Sequence, residues 1–208
     1  HNPAISVLKK IIDEQQLGAI FQMRAQRVGP FPARIRDVGV VIDLATHDID
    51  ILCHLAGGAP LRVFAETQQN IHSTREDMLS GMMRFANGTT AMLEINWLTP
   101  TKSRRLTVLG AAGMYEVDYI TQDLTYYENG AALEADFRSL QLLRGVSEGR
   151  MIRERIEKRE PLRLELEDFI GAVREGRAPL VTGKDSLAAL RIAHALVESG
   201  QTHQVIEL

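Results

Sequence analysis

The sequence predicts an α+β fold: an open, mainly antiparallel sheet with helices on one face. Three observations carry this. From Leu61 to Asn129, short runs of alternating apolar and polar residues are separated by tight, turn-rich links, the pattern of neighbouring antiparallel strands. Helical periodicity is confined to the two ends of the chain and to one stretch between residues 40 and 55. None of the 16 glycines forms a G-x-G pair, so neither a dinucleotide fingerprint nor a phosphate loop can be drawn.

The elements follow in order. Asn2 as N-cap and Pro3 at the first helical position start a helix, with Ile5, Leu8, Ile11 and Ile12 as its apolar stripe and Gly18 as its stop. Ile20 to Val28 alternates as a strand, which Gly29-Pro30-Phe31-Pro32 breaks. A helix is expected from Val40 to Leu55. Strands are expected at Leu61 to Asn70, Met78 to Phe85, Thr89 to Trp97, Arg105 to Leu109, Met114 to Ile120 and Leu124 to Tyr127. Asn87-Gly88 between two of these predicts a type I′ hairpin turn, and Asn87-Gly88-Thr89 is read as that turn rather than as a glycosylation acceptor. Ala131 to Glu160 mixes charges without periodicity and gives either a long excursion over a site or a poorly ordered stretch.

Two helices close the chain, Pro161 to Glu175 and Lys184 to Ser199. Their apolar stripes, Leu164, Phe169, Ile170 and Val173 in one and Leu187, Leu190, Ala193 and Leu196 in the other, are expected to lie on one face of the sheet. The other face then lacks cover, and a homo-oligomer paired through it is the ordinary remedy.

Composition narrows the function. With 45% hydrophobic residues in 208, the chain can bury a substantial core as one domain. Its 24 basic and 27 acidic side chains leave a charge of -3, which supplies no field for nucleic acid or anionic lipid. No apolar run reaches the length of about 18 residues that crosses a bilayer, and no charged-then-apolar leader opens the chain, so a cytoplasmic protein is expected. Cys53 is alone, which excludes an intrachain disulfide and predicts a buried, inert thiol. The abrupt opening His1-Asn2-Pro3 suggests the later part of a longer chain.

The chemistry concentrates between Asp43 and His54. On a helix, Asp43, His47, Asp50 and His54 share one face, while Leu44, Asp48, Ile51, Leu52 and Leu55 point elsewhere. An imidazole with a carboxylate one turn away is the apparatus of a general base, since it can take and return a proton near neutral pH. The bland alternative is a solvated helix face. A zinc site at His47, Asp50 and His54 is disfavoured, because the two histidines stand two turns apart and no His-Glu-x-x-His pair is present; no metal is expected. Arg27, Arg34 and Arg36 flank the Pro-rich turn and could hold a diphosphate or carboxylate, or be ordinary surface arginines. Trp97 could stack on a sugar ring or serve as a core anchor.

Gly39-Val40-Val41-Ile42-Asp43-Leu44-Ala45-Thr46-His47-Asp48-Ile49-Asp50 resembles the D-x-x-x-H-x-x-D helix of the glucose-fructose oxidoreductase and inositol dehydrogenase (Gfo/Idh/MocA) family. Supporting matches are Asn2-Pro3, Gly88-Thr89-Thr90-Ala91, Val108-Leu109-Gly110-Ala111-Ala112-Gly113 and Pro179-Leu180-Val181-Thr182-Gly183-Lys184-Asp185. The resemblance implies an N-terminal Rossmann domain that binds NAD or NADP, absent here, and a C-terminal domain that binds a sugar or nucleotide sugar and forms dimers or tetramers. Residues 1–208 would be that second domain, with 1–18 a helix bordering the first. It further implies His47 as proton-transfer residue, Asp43 as its carboxylate partner and Asp50 as a substrate contact, with Arg27, Arg36 and Trp97 as further substrate-side candidates. The family's Glu-Lys-Pro lysine has no counterpart in this chain, so the chain alone is expected to be inactive. Arg27-Val28-Gly29-Pro30-Phe31-Pro32 and Asn96-Trp97-Leu98-Thr99-Pro100-Thr101-Lys102 are similar to members acting on UDP-N-acetylglucosamine-type sugars. A non-catalytic pairing or ligand-binding module is the competing expectation.

Overall fold

The computed structural model describes residues 1–32, 35, 37–71, 74–130 and 149–208. Helix α1 (Pro3–Asp13) leads into strand β1 (Ile20–Pro30), and a π-helical turn (Val41–Ala45) runs directly into α2 (Thr46–Ala56). Strands β2 (Pro60–Gln68), β3 (Met78–Phe85), β4 (Thr90–Asn96), β5 (Leu98–Gly110), β6 (Gly113–Asp118) and β7 (Asp123–Glu128) follow. Beyond them lie β8 (Met151–Arg153), α3 (Pro161–Glu175), α4 (Gly183–Thr202) and β9 (Ile206–Glu207). The α+β fold and the mainly antiparallel open sheet are as the sequence indicates.

The strand order is β8-β7-β6-β5-β1-β4-β3-β2-β9. β1 lies at the centre, parallel to β4 and antiparallel to β5. Alternation along the strands sends Met23, Ala25, Leu93, Ile95, Leu106 and Val108 to one face, where they are buried. Three helices cover that face. α1 contributes Leu8, α2 contributes Ile49 and Leu52, and α4 contributes Ile192, Ala193 and Leu196, all within one core.

Details differ from expectation for physical reasons. The β3–β4 turn is not type I′: Gly88 alone takes a positive φ, the Gly88 N–H donates to the Phe85 carbonyl, and a three-residue loop with Gly in the left-handed position results. The Asn87 carboxamide also donates to the Ala56 carbonyl, fastening this turn to the end of α2. The expected continuous helix from Val40 begins instead as the π turn. The stretch read as an excursion or a poorly ordered segment falls largely on residues 131–148, outside the described residues; its end contributes edge strand β8, which the sequence did not signal.

The larger correction concerns α3. Its stripe was expected on the sheet, yet Phe169, Ile170 and Val173 are 48–69% exposed and Leu164 is only half-buried. The covered face is already filled by α1, α2 and α4, and α3 is held outside by polar bonds. Asp168 accepts from Arg177 and from the Leu180 N–H, and meets His1 at 3.4 Å. In α4, Ala193 and Leu196 enter the core as expected, whereas Leu187 and Leu190 stay partly exposed.

The opposite sheet face is bare among the described residues. It is more mixed than half apolar: Met82 and Met92 stand beside the Arg24–Glu94 ion pair at 3.2 Å, and Gln26 donates to Glu94. Leu52→Ala, a truncation at zero exposure, should cost about 2–5 kcal/mol of stability. Val173→Ser on α3 should change stability by less than about 0.5 kcal/mol. Urea denaturation of the two variants reads the difference directly.

Candidate active site

The candidate site forms where the first turn of α2 crosses the end of β1. Inward alternation along β1 reaches Arg27, which is 7% exposed beneath the helix. Asp48 comes down to meet it from α2 and has no solvent exposure. The Arg27 Nε donates to Asp48 Oδ2 at 2.5 Å and Nη2 to Oδ1 at 3.3 Å, a two-pronged bond that satisfies both charges where water cannot. The Arg27 guanidinium also lies 5.6 Å from the ring centroid of Tyr119. The Tyr119 hydroxyl is buried close to Asp48 without meeting hydrogen-bond geometry. Burial first, and then the Asp48 charge, pushes its pKa well above the ordinary phenol value.

Arg104 is the cross-strand neighbour of Arg27 on β5, so its side chain shares the covered face and two guanidinium groups converge at this end of the sheet. Loss of hydration first, and Arg27 second, draws the Arg104 pKa down. The Tyr119 N–H donates to the Arg104 carbonyl, and Asn2 donates to the Tyr119 carbonyl, which ties the start of α1 into the cluster.

His47 opens to solvent over this cluster. Its pKa is lowered below the usual imidazole value, first by displacement of water by the surrounding protein and then by Arg27, with Asp48 opposing. The imidazole is therefore neutral at pH 7, the form that accepts a proton. Asp43 adds its negative charge nearby, but no hydrogen bond joins the two side chains. Asp43 lies in the π turn, which has more residues per turn than an α-helix, so it and His47 are not stacked as i and i+4 of a regular helix.

The four-residue stripe divides along α2. Asp50 and His54 face a cavity of about 540 Å³ between α1, α2 and α4, together with Ser6, Lys9, Cys53 and Asp185. Burial raises the Asp50 pKa and His54 opposes the rise, while burial and Lys9 lower His54. The Cys53 thiol, expected buried, is half-buried on the cavity wall, and its pKa is pushed up to about 12, chiefly by burial.

Two substrate-side candidates change. Arg27 is not a surface ligand, because its guanidinium is consumed by Asp48. Trp97 is 2% exposed with its ring edge-on to Phe31 at 5.5 Å, so neither ring face is open to a sugar. Arg36, with Arg34 and His72, lies outside the described residues. Sequence reasoning missed Asp48, Arg104 and Tyr119. Asp48 did leave a signal, since it shares the apolar face with Leu52 and Leu55, and a carboxylate on a core face requires a buried partner. Arg104 and Tyr119 left none, because their partners are far away in the chain.

Among the described residues, no group of three His, Cys, Asp or Glu is placed to hold a metal, and no helix is long and apolar enough to cross a membrane. With this geometry in place, the comparisons decide the family: residues 5–116 match the GFO/IDH/MocA C-terminal domain. The chain belongs to the GFO/IDH/MocA family. It is similar to the UDP-N-acetylglucosamine 3-dehydrogenase of Acidithiobacillus ferrooxidans, with 28% identity over 95% of this chain and 60% of that protein. It is also similar to D-xylose 1-dehydrogenase (NADP(+)) 2 of Haloferax volcanii, with 25% identity over 93% of this chain and 58% of that protein. A solved structure of the Acidithiobacillus enzyme superposes with a TM-score of 0.78 at 26% identity, over 96% of this chain and 61% of that one. A levoglucosan dehydrogenase in complex with NADH and levoglucosan shares the fold, with a TM-score of 0.79 at 21% identity over 99% and 63% of the two chains. The chain thus spans about 60% of the length of these relatives.

Breaking the Arg27–Asp48 bond from one side leaves a buried charge. Arg27→Ala and Asp48→Ala should each cost about 3–5 kcal/mol, while Arg27→Met with Asp48→Leu should fold with stability near that of the parent. Denaturation midpoints of the three variants check this.

Proposed function

We propose that this chain is the substrate-side part of an NAD- or NADP-dependent dehydrogenase that oxidises a secondary hydroxyl of a sugar or nucleotide sugar. In that reading His47 takes the hydroxyl proton. The observation that carries it is His47 itself: a neutral, solvent-facing imidazole held over a buried ion pair at the end of the sheet. A base of this kind contributes about 10²- to 10⁴-fold to a proton transfer. Asp43 supports His47 through its charge. Asp50 is the substrate-hydroxyl contact in this reading, since it faces a cavity within the size range of small-molecule sites. The similarity to a nucleotide-sugar enzyme over 95% of the chain favours that substrate class.

The described residues do not fit a dinucleotide. There is no glycine-rich strand-to-helix turn, and two helix N-termini are closed by carboxylates: Glu160 caps α3, and Asp185 completes a capping box with Thr182 on α4. The nicotinamide cofactor supplies the hydride chemistry of such an oxidation, and its binding belongs to polypeptide outside this chain. What falls to this chain is substrate placement and the proton. This same observation favours the second reading, that by itself the chain acts as a pairing or ligand-binding module.

We also propose that the bare sheet face pairs with a second copy. Met82 and Met92 supply adaptable apolar contact, and Arg24, Gln26 and Glu94 supply polar bonds.

In the full-length protein, turnover of UDP-N-acetylglucosamine with NAD⁺ or NADP⁺ should fall about 10²- to 10⁴-fold in His47→Asn, with cofactor affinity unchanged. Unaltered turnover in that variant would overturn the assignment of His47. For the sheet face, Met82→Glu with Met92→Glu should convert an oligomer to a monomer in analytical ultracentrifugation. A parent chain that sediments as a monomer removes the pairing proposal.

A further inference from the structure

Asp48 follows His47 in sequence yet projects in another direction, into the sheet, where it is fully enclosed. An apolar contact of the same size would hold helix to strand as well or better, so a buried ion pair is a weak device for stability alone. It supplies two things that an apolar contact does not. The two-pronged bond has one angular solution, and it fixes the rotation of α2 about its own axis as well as its height above β1. It also places one charge of each sign, immobile, beneath the neighbouring imidazole.

We propose that Arg27 and Asp48 are positioning residues for His47, locking the first turn of α2 to β1 so that the imidazole is held at one place over the end of the sheet. This rests on the reading of His47 as the proton-transfer residue. Neither residue needs to touch substrate, since both are enclosed.

The charges that face His47 are Arg27 from β1, Arg104 from β5, Asp43 from the π turn, and Asp48 and Asp50 from α2, with the neutral phenol of Tyr119 behind Arg27. Arg27 and Asp48 act on His47 in opposite senses, so removing both should move the ring less than removing either alone. Removing Asp48 uncovers Arg27 and should weaken proton binding at His47. Removing Arg27 should strengthen it. A role confined to packing predicts neither sign.

The test is an NMR pH titration of the His47 ring in this chain and in the full-length protein, for the parent, Asp48→Asn, Arg27→Met, Arg27→Lys and the double variant Arg27→Met with Asp48→Leu. Asp48→Asn should lower the proton affinity of His47 and Arg27→Met should raise it, each by about threefold or more. Arg27→Lys keeps the charge but loses the fork. Its His47 should titrate near the parent while kcat of the full-length protein with UDP-N-acetylglucosamine drops, by up to about 10²-fold for a displacement of about 1 Å. If the single variants fail to fold, the double variant decides: its His47 should titrate near the parent, with kcat reduced. Shifts of the same sign in both single variants, no shift in either, or parent-like kcat in folded Arg27→Lys and double variants would overturn the proposal. If His47→Asn leaves turnover intact, the proton-transfer reading fails by itself, and the His47 titrations still decide whether the pair governs the ring.

Discussion

A carboxylate with no solvent exposure must find a cation and fill its remaining lone pairs, or the fold does not tolerate its charge. Asp48 meets that demand with Arg27, and the architecture around the site follows from it. Arg27 must come from the middle strand of the sheet, α2 must cross that strand at one height, and Tyr119 must close the space behind the guanidinium. Ile49, Leu52 and Leu55 give α2 its apolar contact with the core, which is not directional. The two-pronged ion pair is directional.

Two environments therefore sit on one helix. At its first turn, two guanidinium groups and two carboxylates surround a neutral imidazole; one turn further on, Asp50 and His54 border a cavity against α1 and α4. The first gathers opposed charges around one ring, the second opens to a cavity lined by polar side chains. The cofactor half has no cradle among the described residues, in keeping with a chain that spans about 60% of its relatives' length.

The sheet was legible because period-two alternation is a local signal, and β3 (Met78–Phe85) and α3 (Pro161–Glu175) have the bounds the sequence indicates. The D-x-x-x-H-x-x-D helix was legible as a motif, and with it the family. What escaped depends on partners distant in sequence. Arg27 meets Asp48 21 residues later, and its cross-strand neighbour Arg104 becomes visible only once the register of β1 and β5 is known. Trp97 reads on residue type as either a stacking platform or a core anchor, and packing decides for the core. The α3 stripe has the periodicity of a core-facing helix, and periodicity does not say which surface it covers. The π turn escaped because its residues, Val41 to Ala45, carry no marker that separates them from an ordinary helical turn.

The central place of β1 has a consequence for how the molecule is made. Its partners on both sides come late: Arg24 meets Glu94 on β4 across 70 residues, and β5 lies further on still. A ribosome releases β1 long before either partner exists, so the strand that carries Arg27 spends that interval with its backbone amides unpaired. The hairpin of β3 and β4 is local, whereas the pairing of β1 between β4 and β5 joins residues far apart in the chain, the kind of contact that closes slowly. The site thus lies at a seam where a strand joins partners synthesised some 70 residues and more after it.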